Sequence, residues 1–167
     1  MTHVFRRQIR LASPKETARL ARAFVGICER GDVILLEGPI GSGKTHFCRA
    51  MIQEHLIQNN APLEDVPSPT FTLVQTYDTG TSEIWHADLY RLTHPDEVEE
   101  LGLIDAFESE ICLVEWPDRL GALTPQNALL CSFEQGAEDD MRRLTLTATD
   151  PKWVAKLENA LAEFPYE

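Results

Sequence analysis

The alternation of apolar and polar positions divides the chain into strands and helices. Phe5, Ile9 and Leu11 face one way between Arg6, Gln8 and Arg10, as in a half-buried strand. Ser13-Pro14-Lys15-Glu16 then reads as a helix start, with Ser as the cap, Pro at the first helical position and Glu three residues after the Ser. Leu20, Ala21, Phe24, Val25 and Cys28 recur at helical spacing, and Gly31 is expected to stop that helix. Residues 33–36 are an unbroken apolar run of the kind buried on both faces of a sheet. After a glycine-rich turn, Phe47, Ala50, Met51 and Ile52 begin a second helix that should end before Asn59-Asn60-Ala61-Pro62.

Residues 71–77 and 83–90 are rich in β-formers, and the Asp78-Thr79-Gly80-Thr81-Ser82 segment between them reads as a hairpin loop. Thr93 or His94, ahead of Pro95, is placed to cap a short acidic helix ended by Gly102. Residues 111–114 form another buried-type strand. Residues 128–133 and 143–149 alternate and look antiparallel. Asp150-Pro151 opens a closing helix with Trp153, Leu157, Leu161 and Phe164 on one side. The order predicts an α/β fold: one domain over residues 1–167, a mixed sheet with helices on both faces and added antiparallel hairpins.

Charge and cysteine spacing narrow the function. The 167 residues carry a net charge of −12, which argues against holding nucleic acid unaided, because such binding rests on many Lys/Arg–phosphate contacts. Any nucleic-acid role is expected to run through a protein partner. No apolar run approaches the ~18 residues of a membrane helix, and no export signal follows the basic start, so a cytoplasmic protein is expected. The closest cysteines, Cys112 and Cys131, lie 19 residues apart, which excludes paired-thiol metal knuckles and redox motifs.

Gly38-Pro39-Ile40-Gly41-Ser42-Gly43-Lys44-Thr45 matches G-x-x-x-x-G-K-[ST], the phosphate loop. Gly38, Gly41 and Gly43 let main-chain N–H groups converge on an anion with no Cβ in the way, and Ser42 lies among them. The helix that follows points its positive end at the phosphates. Lys44 reaches the β- and γ-oxygens in such a loop, and the Thr45 hydroxyl is a Mg²⁺ ligand. The metal also needs a carboxylate from a neighbouring strand. Ile111-Cys112-Leu113-Val114-Glu115 supplies one, in the manner of a Walker B strand with Glu for Asp. Pro117 disfavours the α region for Trp116, which either covers a nucleotide or caps the core. Pro67 and Pro69 hold Val66 and Ser68 extended, so Ser68 and Thr70 read as switch-loop hydroxyls or as a plain strand start. His86, Asp88 and Tyr90 share a strand face by period two, with Asp88 a metal or water ligand or a salt-bridge partner of Arg91.

In order along the chain, GDVILLEGPIGSGKT, SPTFTLVQTY, HADLYRL, EELGL and LVEWPDRLG closely resemble the TsaE family. The likeness runs from about Gly31 to Gly121. It implies a P-loop ATPase domain that binds and hydrolyses ATP with Mg²⁺. It also implies work with the TsaB–TsaD pair, which attaches the threonylcarbamoyl group to tRNA, so that contact with tRNA is indirect and the chain is not itself the transferase. By position, Lys44 and Thr45 match the family's phosphate and metal residues, Thr70 its switch-like Thr, and Asp88 the Asp of its Asp-Leu-Tyr-Arg motif. Glu115 and Trp116 match its Glu-Trp-Pro, and either Glu115 or Asp88 orients the attacking water. Pro39-Ile40 stands where the family often has Asp-Leu. Arg91 and Arg119 are candidates for an arginine finger in cis.

Three other functions compete. A small-molecule P-loop kinase fits the Glu-Trp-Pro-Asp-Arg run over residues 115–119, but after the second acidic strand Arg119 stands alone until Arg142-Arg143, which looks like strand sequence rather than a basic lid. A GTPase fits the Asp118-x-x-Gly121 spacing but lacks an Asn-Lys-x-Asp guanine-reading motif. A nucleotide-holding assembly clamp would lack turnover. The stretch from Asp96 to Asp118 has nine acids and no Lys or Arg, making it a solvated face or a surface for a basic partner.

Overall fold

The computed structural model describes residues 2–164. Its strands are β1 (Phe5–Leu11), β2 (Val33–Glu37), β3 (Val74–Asp78), β4 (Glu83–Asp88), β5 (Ile111–Glu115), β6 (Leu129–Gln135) and β7 (Arg142–Ala148). Its helices are α1 (Pro14–Val25), α2 (Lys44–Gln58), α3 (Glu97–Glu100), α4 (Leu103–Ser109) and α5 (Lys152–Ala160), with a 3-10 segment over Pro117–Leu123. All seven strands join one sheet in the order β1-β7-β6-β2-β5-β4-β3. β2 is parallel to β5 and β6, and β4 to β5, whereas β1/β7, β6/β7 and β3/β4 are antiparallel. The central strands are therefore of the parallel, doubly covered kind that their unbroken apolar runs predict.

Strand parity sorts the core into two layers. Ile34, Leu36 and Leu113 point to the face covered by α1, α2 and α5, where Phe24, Phe47 and Trp153 are buried. Val33, Leu35, Cys112 and Val114 point to the other face, beneath Val98, Leu103 and Phe107 of α3 and α4. The same parity places His86, Asp88 and Glu115 on the α2 face, which decides where the chemistry sits.

Several local expectations change. α1 ends at Val25 rather than running to Gly31, because the Ile27 and Cys28 N–H groups both bond to Phe24 O and Gly26 takes the cap position. Ser13 stands at the N-terminal cap but its side chain caps nothing, and Glu16 pairs with Arg19 at 3.1 Å instead of reaching back. β3 begins only at Val74: the Leu73 N–H bonds to Pro69 O and Leu73 takes φ 69°, so residues 70–73 form a turn. β4 stops at Asp88, so Tyr90 leaves the strand. Asp96, not Thr93 or His94, holds the cap position of α3, while Thr93 Oγ1 donates to Glu97 Oε1. Gly102 ends α3 as expected and also begins α4, in the left-handed region.

Asp32, 1% exposed just before β2, is held by Lys152 and Lys156 of α5 at 2.8 and 2.6 Å. Burial alone would raise its pKa, but the two lysine hydrogen bonds, the Glu29 N–H and the Lys152 charge together outweigh that and hold the carboxyl below its ordinary range.

His55 of α2 is 6% exposed, and its Nε2 has no partner among the described residues. Burial lowers its pKa to about 4, against the 6.5 of a free imidazole. Between those values the unfolded chain binds a proton that the folded chain does not, so stability falls as pH drops through this window and levels off below it. The loss expected from this group is about 2–3 kcal/mol. Denaturant unfolding at pH 7 and pH 4 should show a smaller difference in His55→Leu than in the unaltered protein.

Candidate active site

The site forms where β2 gives way to α2. Gly38 has φ 142°, and a Cβ there would sit 2.7 Å from Phe133 O, so only glycine fits. Gly41 and Gly43 also have positive φ, at 79° and 108°. The Ser42 N–H turns inward to Pro39 O. The Phe47 N–H bonds to Gly43 O as α2 gets under way. The donors of the helix's first turn lie ahead of that bond and face the cleft with the positive end of the helix dipole. Lys44, 5% exposed, folds back so that Nζ donates to Gly38 O at 2.6 Å and Pro39 O at 2.9 Å. Burial pushes its pKa down, opposed by Glu115 and Asp88.

The acids arrive from across the sheet. Asp88 and Glu115 end the paired strands β4 and β5 and are direct partners in register. Thr45 Oγ1 donates to Glu115 Oε1 at 2.8 Å, and His86 Nε2 lies 2.6 Å from Glu115 Oε2. An ionised carboxylate only accepts, so His86 donates here. Both oxygens of Glu115 are thus engaged, and the residue is 1% exposed. Asp88 Oδ1 accepts the Tyr90 N–H at 3.0 Å. Burial raises the Asp88 pKa; the Tyr90 N–H and nearby His86 and Lys44 oppose that rise, while Glu115 adds to it.

Loop and acids share one cleft of about 460 Å³, lined by Gly41, Gly43, Lys44 and Thr45 on one side and Asp88 and Glu115 on the other. Ser68 and Thr70 also face it, as do the rings of Tyr90 and Trp116. Gly38 and Ser42 stand behind the lining, with Ser42 Oγ buried and unpartnered among the described residues. Trp116 takes φ 58°, ψ 54°: Pro117 denies it the right-handed helical region, and the residue both lines the cleft and packs against the core layer beneath α3 and α4. A bulky residue held there stores about 1–3 kcal/mol of strain. Its ring packs at a tilt against Tyr90, 4.8 Å between centroids, and lies 4.4 Å from Lys44 Nζ.

Other expected contacts do not form. Asp88 makes no pair with Arg91, whose guanidinium stacks on the exposed Phe71 ring at 4.3 Å. Arg119 lies beside Asp118 at 3.8 Å, and neither arginine lines the cleft. His86 is the residue that the sequence left without a role. Its place on the Asp88 face was readable, but its bond to Glu115 depends on the β4/β5 register. Cys48, His86 and Glu115 also bring ligand atoms within 4.8 Å of one another. A metal-bound histidine needs an acceptor at its second nitrogen, and His86 Nδ1 has no partner among the described residues, while burial holds the Cys48 thiol protonated.

The model of the family described as threonylcarbamoyl adenosine biosynthesis protein TsaE matches residues 11–144. The tRNA threonylcarbamoyladenosine biosynthesis protein TsaE of Rickettsia bellii is 37% identical over 137 residues, covering 82% of this chain and 92% of that protein. The Bacillus subtilis protein of the same name is 35% identical over 145 residues, covering 86% and 87%. The crystal structure of Bacillus subtilis YdiB superposes with a TM-score of 0.75 at 26% identity, covering 97% of each chain. With the glycine-rich loop, the paired acids and the mixed sheet in place, the chain belongs to the TsaE family.

Proposed function

We propose that this chain is a Mg²⁺-dependent ATPase, one domain over residues 1–167, that works in the cytoplasm in tRNA threonylcarbamoyladenosine biosynthesis with the TsaB–TsaD pair. It is not the transferase, and it meets tRNA through those partners, in keeping with its net charge of −12. The observation that carries the reading is the 2.8 Å bond between Thr45 and Glu115, which brings a loop hydroxyl and a strand carboxylate together at the mouth of α2.

The donor set fits magnesium, a hard cation that takes oxygen ligands. Thr45 and Glu115 would hold it, and the ion would neutralise charge on the β- and γ-phosphate oxygens. The chain's own residues do the rest. Gly38, Gly41, Ser42 and Gly43 shape the anion cradle. Lys44 exchanges the carbonyls of Gly38 and Pro39 for phosphate oxygens. Thr70 and Trp116 close the cleft over the nucleotide. Glu115 is committed at both oxygens, so Asp88, which burial makes a better proton acceptor than an ordinary aspartate, orients the attacking water. No arginine lines the cleft among the described residues, so hydrolysis should be slow alone and faster with the partner pair. A kinase reading has less support, because among the described residues Lys44 is the only Lys or Arg lining the cleft and no basic lid covers it.

Reconstitution tests the reading. Multiple-turnover threonylcarbamoylation of tRNA by TsaB–TsaD should rise with this protein and stay at the baseline with Lys44→Ala or with no addition. Equal product in all three reactions would contradict it.

A further inference from the structure

The phosphate loop is gripped from behind by a residue outside the cleft. Arg142, the first residue of β7, sends Nε to Ser42 O and Nη2 to Gly41 O, both at 3.2 Å. The same guanidinium donates through Nη1 to Asp139 O at 2.6 Å and Met141 O at 2.9 Å. It therefore spans four main-chain carbonyls, two in the loop and two in the turn that joins β6 to β7. That turn is itself closed by the Gly136 N–H to Met141 O and by Gln135 Nε2 to the carbonyls of Glu138 and Asp139.

Peptide geometry gives this grip a consequence. In a trans peptide the C=O and the next N–H point in opposite directions. With Ser42 O turned toward Arg142, the Gly43 N–H is turned away from it, and Gly43 lines the cleft whereas Arg142 does not. The loop carbonyls are thus shared between two cations: Lys44 holds those of Gly38 and Pro39, and Arg142 those of Gly41 and Ser42. Lys44 must let go to reach a phosphate. Arg142 has no such duty and holds on throughout.

We infer that Arg142 is a positioning residue that sets the phosphate-loop N–H groups for a nucleoside di- or triphosphate, with the β6–β7 hairpin as its anchor. The inference rests on the ATP-binding reading above. Because Arg142 acts on the phosphate cradle and touches neither Asp88 nor Glu115, its loss should weaken binding of ATP and ADP alike and leave the chemical step nearly unchanged. An ammonium cannot span carbonyls on both sides, so lysine should replace it poorly.

The test is calorimetric titration of ATP and of ADP, each with Mg²⁺, into the unaltered protein, Arg142→Ala and Arg142→Lys, with phosphate release at saturating ATP and thermal unfolding measured alongside. Arg142→Ala should raise Kd for both nucleotides by about tenfold or more, with kcat within about threefold of the unaltered protein. Methylguanidinium should restore part of its binding, and Arg142→Lys should recover less than half of the loss on a logarithmic scale. Should Arg142→Ala not fold, Arg142→Gln takes its place in the same measurements. A Kd within about twofold of the unaltered protein, a fall in kcat at unchanged Kd, or weakened binding fully accounted for by unfolded chain would overturn the inference. An unaltered protein that binds neither nucleotide would overturn the ATPase reading instead.

Discussion

Lys44→Ala is expected to weaken ATP binding by at least about a hundredfold, since hydrogen bonds from a charged group contribute about 1.5–3 kcal/mol each and more than one is lost. The resting structure sharpens this expectation. Lys44 Nζ does not wait in open solvent: it already satisfies Gly38 O and Pro39 O, at 2.6 and 2.9 Å, and burial lowers its pKa. Phosphate oxygens would replace two carbonyl acceptors, so desolvation of the ammonium would be met before a nucleotide arrives. Alanine removes the charge and leaves both carbonyls without that donor, facing the incoming anion. Lys44→Arg should fail almost as badly, because a rigid planar fork does not fit the pocket between the two carbonyls. Calorimetry with ATP and ADP reads both variants, and a Kd within about tenfold of the unaltered protein for Lys44→Ala would contradict the role given to this residue.

Glu115→Gln is expected to bind ATP within about threefold of the unaltered protein and to lose turnover by about a hundredfold to a thousandfold, the scale of losing several kcal/mol of transition-state charge stabilisation. The isosteric amide can still accept from Thr45 through its oxygen. Its NH₂ then meets His86 Nε2, which can accept if the ring proton moves to Nδ1, an atom with no partner among the described residues. Fold and loop therefore survive, and the missing negative charge is the main change. Glu115→Ala should also spare binding and remove turnover. It additionally strands Thr45 Oγ1 and His86 Nε2, so it should unfold at lower temperature than Glu115→Gln. Normal phosphate release by either variant would contradict the metal assignment.

Much of this site is legible in the sequence because its parts are local. The loop over residues 38–45 needs its glycines in a short window, and the β5 acid sits at the end of an apolar run that reads as a covered strand. The central sheet follows for the same reason, as do the antiparallel pairs β3/β4 and β6/β7. What escapes is set by register and by main-chain detail. His86 reaches Glu115 only because β4 lies parallel to β5 with Asp88 opposite Glu115. Arg142 looks like an ordinary strand residue until the β6–β7 hairpin lies beside the phosphate loop, 100 residues away in sequence. The end of α1 at Val25 and the turn over residues 70–73 were hidden because their apolar patterns continue past the point where the main chain changes its hydrogen bonding. Trp116 avoids the right-handed helical region, as Pro117 requires, but its left-handed conformation comes from the site: its N–H is held by Leu36 O at 3.2 Å while its ring covers Lys44.

On the proposed reading, residues 38–45 wrap a triphosphate whose magnesium is steadied by Glu115. The most direct measurement is a Mg²⁺ titration of ATP affinity by calorimetry, run on the unaltered protein and on Lys44→Ala, in the presence and absence of TsaB–TsaD. ATP binding to the unaltered protein should tighten with Mg²⁺, and Lys44→Ala should give no binding heat under the same conditions. An unaltered protein that gives no heat with Mg²⁺ and ATP, alone or with those partners, would contradict it.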